Sequence, residues 1–492
     1  MNTRNLDVQR IRFNRMVFFI AVTSIFVMAF KFILDNDTWW HLAAGERILQ
    51  TGKILRQDPF SLTMSGTAWE YPGWLAQVLL AFIYRIGGLV GLNSFGALLV
   101  CLTFVALWFV LDGPSLLRLS VLLLSAIVSS VFWSVRPQLF SFLFSSLFVL
   151  ILEKENKKPT PFIWSLPFLM AVWGNMHGGF VIGFMILVGY FISRLLQQLQ
   201  TIPAERSEWR NHFRPLFRLA GVGLAAVLGL VFNPDGLGLL LYPFKTVGME
   251  VLQNYIMEWQ SPDFHLLEMQ PFLWMLILAC ASMVFSTHRL RLADIPSLFL
   301  FSYAGFLAAR NISTFALIAA PILSRHVNSI FNLHPSVKKL SKPINPVLSR
   351  IFNIVLIISV VILGVVIRKD YFSESMIRRE MTEQIPVSAI EYLAENEEQG
   401  NLFHSYNWGG YIIWRLYPEY SSFVDGRTDL FGDEVLSTYI QIWSADRRAL
   451  DLLDSYNISV VLVEPDAPLV SLLDCSDWKL IYEDMDAVLY SR

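Results

Sequence analysis

Two acids stand two residues apart just past an apolar run, in Leu34-Asp35-Asn36-Asp37-Thr38-Trp39-Trp40-His41-Leu42. A carboxylate placed immediately beyond a membrane anchor is well placed to work on a lipid-borne substrate. Asp37 opens a stretch patterned as a helix as far as Gln50, and His41, four residues on, shares its face. The structural alternative is that Asp35 or Asp37 caps this helix while Trp39 and Trp40 anchor it in the membrane interface. The residues alone leave both readings open.

Three cationic side chains fall where apolar runs end: Arg136 in Ser134-Val135-Arg136-Pro137-Gln138, His177 in Asn175-Met176-His177-Gly178-Gly179, and Arg310 in Ala309-Arg310-Asn311. Together they suit a phosphate, which Arg grips through paired hydrogen bonds. Each alone is equally explained by snorkelling to headgroups or by satisfying helix-end carbonyls. Lys245 joins the candidate phosphate ligands from the long segment Asn233 to Glu268, which also holds Tyr255, Glu258, Trp259 and Asp263. A connection of that length is usually functional or mobile. Asp58 and Glu70 are further polar candidates, as are Asp425 and Arg427 in Val424-Asp425-Gly426-Arg427-Thr428-Asp429, where a turn-stabilising ion pair is the favoured reading.

The elements that must position these groups are set by the bilayer. Hydrophobic residues make up 54 % of the 492-residue chain and charged ones 16 %, a composition outside the soluble range. The formal net charge of −2 removes the basic excess that nucleic-acid binding needs. Cys101, Cys280 and Cys475 are scattered and suggest neither disulfides nor a thiolate metal site. A hydrocarbon core of about 30 Å takes ~20 apolar residues as a helix. The stretch Met16 to Leu34 reads as an uncleaved anchor, and ten more follow: Leu89 to Leu111, Leu119 to Ser134, Gln138 to Leu152, Phe162 to Trp173, Gly179 to Leu196, Leu219 to Phe232, Met269 to Phe285, Ile295 to Ala309, Ile312 to Leu323 and Ile351 to Ile367. The expectation is therefore about eleven transmembrane helices.

The stretch Trp74 to Ile86 decides the sidedness. Laid along the outer surface, it leaves the basic clusters Lys154/Lys157/Lys158, Arg194 to Arg218, Arg289/Arg291 and Arg325 to Arg350 on the side of the N-terminus, as the positive-inside rule requires. Counted as a span, it puts them outside. The same choice sends Asp35, Asp37, Arg136, His177, Glu258 and Arg310 to the outer face, although other residues made it. The predicted organisation is residues 1–369 in the membrane, with outer loops 35–88 and 233–268, and an extracytoplasmic α/β domain over 370–492. In that domain Ser422 to Asp425, Val460 to Glu464 and Lys479 to Tyr482 read as strands, and Asp446 to Asp454 as an amphipathic helix. No phosphate-binding loop, dinucleotide glycine motif, HExxH or nucleophile elbow is present.

In this layout the chain resembles the GT-C superfamily of polytopic glycosyltransferases: an anchor, an acidic first outer loop, many spans and an outer C-terminal domain. The opening from Asp37-Thr38-Trp39-Trp40-His41-Leu42 through Asp58-Pro59-Phe60-Ser61 and Tyr71-Pro72 is similar to that of many bacterial members. Asn407-Trp408-Gly409-Gly410-Tyr411 with Val424-Asp425-Gly426-Arg427-Thr428 loosely resembles the region around the WWDYG motif of oligosaccharyltransferase catalytic subunits, but the Trp-Trp-Asp triplet that reads a peptide acceptor is missing. The resemblance implies an inverting transferase of the inner membrane, taking a sugar from a polyprenyl-phosphate-linked donor. Asp37, or failing that Asp35, would be the base, with Arg136, His177, Arg310 and Lys245 on the donor phosphate. A divalent cation, Mg or Mn, bridging carboxylate and phosphate stays open. So do a lipid or polysaccharide flippase, and a non-catalytic scaffold whose outer domain binds a partner.

Overall fold

In a computed structural model of the chain, the described residues are 3–30, 35–249, 251, 256–287, 291, 294–333, 346–396, 398 and 400–492. Leu34, Tyr255, Arg289 and residues 334–345 of the last basic cluster lie outside them. The chain is mostly helical with a small C-terminal sheet. The described residues of the eleven apolar stretches lie chiefly on the helices Thr3–Ala29, the second half of Trp74–Trp108, Ser115–Ser129, Gln138–Lys157, Ser165–Met176, Val181–Gln200, Trp209–Gly229, Gln270–Phe285, Asp294–Leu307, Ile312–Leu333 and Pro346–Arg368. Six helices among the described residues are long and apolar enough to cross a membrane, and Gln270–Phe285 and Asp294–Leu307 are shorter apolar ones. The helix Pro346–Arg368 leaves Ile351, Phe352, Val355, Ile358, Ile362, Leu363 and Val366 exposed. A run that apolar is stable only in lipid, where its backbone bonds close on themselves.

The 35 residues of Trp74–Trp108 would make a rod of about 50 Å, longer than a bilayer core needs. It is two helices, broken at Gly88, whose φ of 55° and ψ of −149° suit glycine alone. The first half packs along the first-loop helix Asn36–Thr51, where a Cβ on Gly45 would lie 2.1 Å from the Gln77 carbonyl oxygen. Its start is held by a Trp74 Nε1 hydrogen bond to Asn175 Oδ1 at 2.7 Å, and its end at Gly88 lies against Glu374, beyond the last apolar helix. The half-helix therefore begins and finishes at one end of the bundle. Leu89 onward runs to the other end, where Asp112, Glu153, Asp294 and Arg325 gather: Arg325 Nη1 meets Asp294 Oδ2 at 2.7 Å, Arg291 meets Glu153 at 3.1 Å, and Lys157 meets Asp112 at 3.2 Å.

Past Phe372 the chain builds a four-stranded sheet from β1 (Asn401–His404), β2 (Ile458–Val463), β3 (Lys479–Glu483) and β4 (Val488–Ser491), in the order β1-β2-β4-β3. β1 runs parallel to β2, and β4 antiparallel to both β2 and β3. Ser422 to Asp425 is not one of these strands, contrary to expectation. Its backbone pairs instead with the first loop, Leu62 N to Ser422 O at 2.8 Å and Ser422 N to Phe60 O at 3.1 Å. The amphipathic helix spans Ala449–Ser455 and packs on β2. Two hydrophobic cores join this unit to the first loop, one through Trp40, Phe60 and Trp69, the other through Trp39, Leu42 and Leu80.

Candidate active site

The first-loop helix Asn36–Thr51 starts with a reciprocal cap. Asp35 Oδ1 accepts from Asp37 N at 3.0 Å, and Thr38 Oγ1 accepts from Asp35 N at 3.3 Å. Thr38 Oγ1 donates in turn to the Val135 carbonyl at 3.1 Å, fixing the helix start against the turn that carries Arg136. Capping falls to Asp35. Asp37, two residues on, turns its carboxylate into a cavity of about 1150 Å³.

Arg136 organises the wall of that cavity. Its Nη1 meets Asp37 Oδ2 at 2.7 Å, its Nε meets Asp35 Oδ2 at 3.3 Å and Ser134 Oγ at 3.0 Å, and its Nη2 donates to Glu258 Oε1. Asp37 Oδ1 accepts from Trp40 Nε1 at 3.1 Å, so both oxygens of that carboxylate are oriented. Burial works against the Arg136 charge, but Asp35, Glu258 and Asp37 outweigh it and hold the guanidinium more firmly charged than usual. Burial pushes the Asp35 carboxyl up to about 6 against the pull of Arg136, with Asp37 and Glu258 adding to the rise. Glu258 is buried too, yet Arg136 and Arg310 bring it below the ordinary carboxylate range. The arrangement leaves Glu258 as an anion and makes Asp35 the acid most ready to carry a proton.

Arg310 lies with its guanidinium 4.4 Å from the Trp259 ring centroid. The Ala309 N to Gln260 O bond, 2.9 Å, holds its turn against the Glu258 segment. Among the described residues its guanidinium makes no hydrogen bond to a carboxylate, so it faces the cavity as a cation with donors to spare. His177 Nδ1 receives the Gly179 N–H at 3.0 Å and lies 2.7 Å from Ser141 Oγ, which itself accepts from Trp173 Nε1 at 2.7 Å. Nδ1 is thus an acceptor, which puts the ring hydrogen on Nε2. Removal from bulk water, then the Arg310 and Arg136 charges, lower the His177 pKa to about 3, so the ring is a neutral donor.

The C-terminal unit closes the opposite wall. A Cβ on Gly410 would meet the Asn36 carbonyl oxygen at 2.4 Å, and one on Gly426 would meet Asp37 Oδ1 at 1.6 Å. The Gly426 turn is fixed by Arg427, which is fully buried: Nε and Nη2 grip the two Asp425 oxygens at 2.7 Å each, and Nη1 donates to Asp58 of the first loop. Trp69, Phe60 and Phe431 surround this guanidinium. Tyr242 Oη donates to Asp429 Oδ2 at 3.0 Å, and burial raises the Asp429 pKa.

Of the residues singled out in the sequence, Asp35, Asp37, His41, Arg136, His177, Glu258 and Arg310 line this one cavity. His41 is buried beneath Trp40, with Nδ1 3.4 Å from Gln77 Nε2, and burial keeps it neutral. Asp58, Asp425 and Arg427 form the buried ion cluster behind it. Lys245 does not line the cavity and pairs with Glu70 at 3.0 Å, both side chains exposed. Tyr71, Tyr242, Trp259, Tyr406 and Asp429 line it without having been singled out as site residues. Trp259 and Asp429 adjoin residues that were; Tyr242 carries no sequence signal. No group of three or more His, Cys, Asp or Glu side chains among the described residues is disposed to hold a metal ion.

No family model and no curated protein matches the chain. Solved structures do. The oligosaccharyltransferase of Archaeoglobus fulgidus in its apo form aligns with a TM-score of 0.55 at 12% identity, over 92% of this chain and 69% of that one. The same enzyme tethered to an acceptor peptide aligns at 0.56 and 11% identity, with the same coverage. ArnT from Cupriavidus metallidurans, bound to undecaprenyl phosphate, aligns at 0.46 and 12% identity over 100% of this chain and 98% of that one. The chain shares its fold with the Archaeoglobus fulgidus oligosaccharyltransferase.

Proposed function

We propose that the chain is an inverting membrane glycosyltransferase that moves a sugar from a polyprenyl-phosphate-linked donor to an acceptor outside the cytoplasm. The observation that carries this reading is Asp37: a carboxylate facing a large cavity, oriented by Arg136 and Trp40 and relieved of helix capping by Asp35. The acceptor hydroxyl oxygen attacks the anomeric carbon while Asp37 takes its proton. The bond from that carbon to the phosphate oxygen breaks on the far side, and the electron pair leaves with the lipid phosphate. Arg310 and the Nε2–H of His177 face the departing oxygens as fixed donors. A single displacement by the hydroxyl inverts the anomeric centre. The fold shared with an oligosaccharyltransferase supports the class, while the missing Trp-Trp-Asp triplet argues against a peptide acceptor.

The cavity includes apolar surface from Phe132, Phe142, Ile182 and Met185, on or next to helices that carry the spans, and this suits the donor's polyprenyl chain. In the proposed topology the chain crosses eleven times, with the N-terminus cytoplasmic, residues 1–369 in the membrane and residues 370–492 outside. The cavity then opens on the outer face, and the Asp112, Glu153, Asp294 and Arg325 cluster lies on the inner one.

The test is Asp37→Asn, assayed with a panel of radiolabelled polyprenyl-phosphate sugars and a cell-envelope extract as acceptor. General-base assistance is worth ~10²- to 10⁴-fold, so transfer should fall by that much while folding is unchanged. Asp35→Asn, which keeps a capping side chain, should lose far less. Near-normal transfer by Asp37→Asn would remove the residue from the chemistry.

A further inference from the structure

Three carboxylates from two separate segments, Asp35 and Asp37 of the first loop and Glu258 of the long outer loop, converge on one guanidinium supplied by a third. Such a set of anions is what a divalent cation would otherwise be needed to hold together. Here every nitrogen of Arg136 is already used: Nε on Asp35 and Ser134, Nη1 on Asp37, Nη2 on Glu258. The guanidinium side chain is only 11% exposed, and a metal ion could reach the same oxygens only by displacing it or by sharing the site with a like charge. The donor set therefore does not fit a metal in addition to Arg136.

We infer that Arg136 is the resident cation of this site: it takes the place of a divalent metal among Asp35, Asp37 and Glu258, and it acts as a positioning residue for the acids, not as a ligand of the donor phosphate. The inference deepens the proposed reaction and rests on it only for its catalytic consequence. It leaves the phosphate to Arg310 and His177. It also adds Glu258 to the ties between the long outer loop and the first one, beside the Lys245–Glu70 pair.

The experiment needs no substrate. Manganese(II) is titrated into the full-length protein in detergent and the free ion followed by electron paramagnetic resonance. Wild type should show no saturable site at the acids. Arg136→Met should gain about one equivalent, and Arg136→Met with Asp37→Asn should lose it again. Binding to wild type that disappears in Asp37→Asn overturns the inference, as does a folded Arg136→Met protein that gains no site. Binding that persists in Asp37→Asn lies elsewhere and counts with the expected result. Should Arg136→Met fail to fold, the wild-type titration decides alone. Absence of transfer with every lipid-linked sugar would sink the proposed reaction while leaving this titration to be judged separately.

Discussion

Gly426→Ala tests the geometry of the site with one methyl group. The added Cβ would lie 1.6 Å from Asp37 Oδ1 and 2.6 Å from its Cγ, where ordinary contact needs roughly 3.4 Å or more. Something must retreat by more than 1 Å. The Gly426 turn is held from behind by the buried Arg427 grip on Asp425 and Asp58, and moving it would disturb a fully desolvated ion cluster. The Asp37 side chain is the softer partner and should swing away, giving up its bonds to Trp40 and Arg136. A displacement of about 1 Å in a reacting group costs ~10²-fold in rate. Two weakened hydrogen bonds at a cavity wall cost about 1–3 kcal/mol of stability. The assay is transfer from the lipid-linked sugar panel per folded molecule, alongside thermal unfolding in the same detergent. The expected pattern is a large loss of turnover with a small shift in Tm. Wild-type turnover with an unchanged Tm would refute the packing of Gly426 on Asp37 or the role given to that acid. Gly410→Ala is the control: its Cβ meets the Asn36 backbone oxygen at 2.4 Å, and because backbone cannot swing aside, it should lower Tm first.

Arg427→Met should destabilise the protein by ~3–5 kcal/mol, because it strands the buried Asp425 and Asp58 carboxylates, and differential scanning fluorimetry will read the loss; an unchanged Tm would show that the cluster holds nothing. His177 is neutral when folded, with a pKa of about 3 against 6.5 unfolded, so the unfolded chain binds the extra proton. Its contribution to stability is present above pH 6.5 and lost as pH falls toward 3; His177→Gln should flatten that part of the Tm–pH curve, and an identical slope in both proteins would count against the neutral ring. Reporter fusions after Arg492 should read as extracytoplasmic and those in the loop containing Lys157 and Lys158 as cytoplasmic, and the reverse would invert the proposed sidedness.

The helices were legible in the sequence because the bilayer leaves the chain few choices: apolar runs of span length must be helices, and basic residues sort to one side. The gathering of Asp35, Asp37, Arg136, His177, Glu258 and Arg310 could be anticipated for the same reason, since they are the polar groups at run ends that the basic clusters leave to the other face. Their pairing could not be anticipated. Arg136 finds Asp37 across 99 residues and Glu258 across 122, and no local pattern encodes contacts at such separations. Lys245 looked equivalent to Arg310 as a cation in an outer segment, yet Glu70 claims it at the surface. In the C-terminal unit, β1 and β4 are four residues each and carry too little periodicity to be seen, whereas adjacent Phe423 and Val424 make Ser422 to Asp425 imitate a strand where the chain in fact bends.

The site uses the same chemistry twice with opposite effect. Arg427 and Arg136 each bridge acids that are distant in sequence, and a count of ion pairs would not tell them apart. Arg427 is fully buried against two acids, walled by three aromatic rings, and every nitrogen of its guanidinium ends on a carboxylate. Nothing in that cluster can respond to a ligand, so its effect is to fix where the Gly426 turn stands. Arg136 instead forms part of a cavity wall, and the acids around it outnumber it, with one of them raised to about 6. An excess of acid beside open space can take up a proton, and a closed, satisfied cluster cannot. The rigid pair behind the wall and the acid-rich one within it are coupled through Gly426 and Asp37, so stiffness made by the first is delivered to the one carboxylate whose position the proposed reaction depends on.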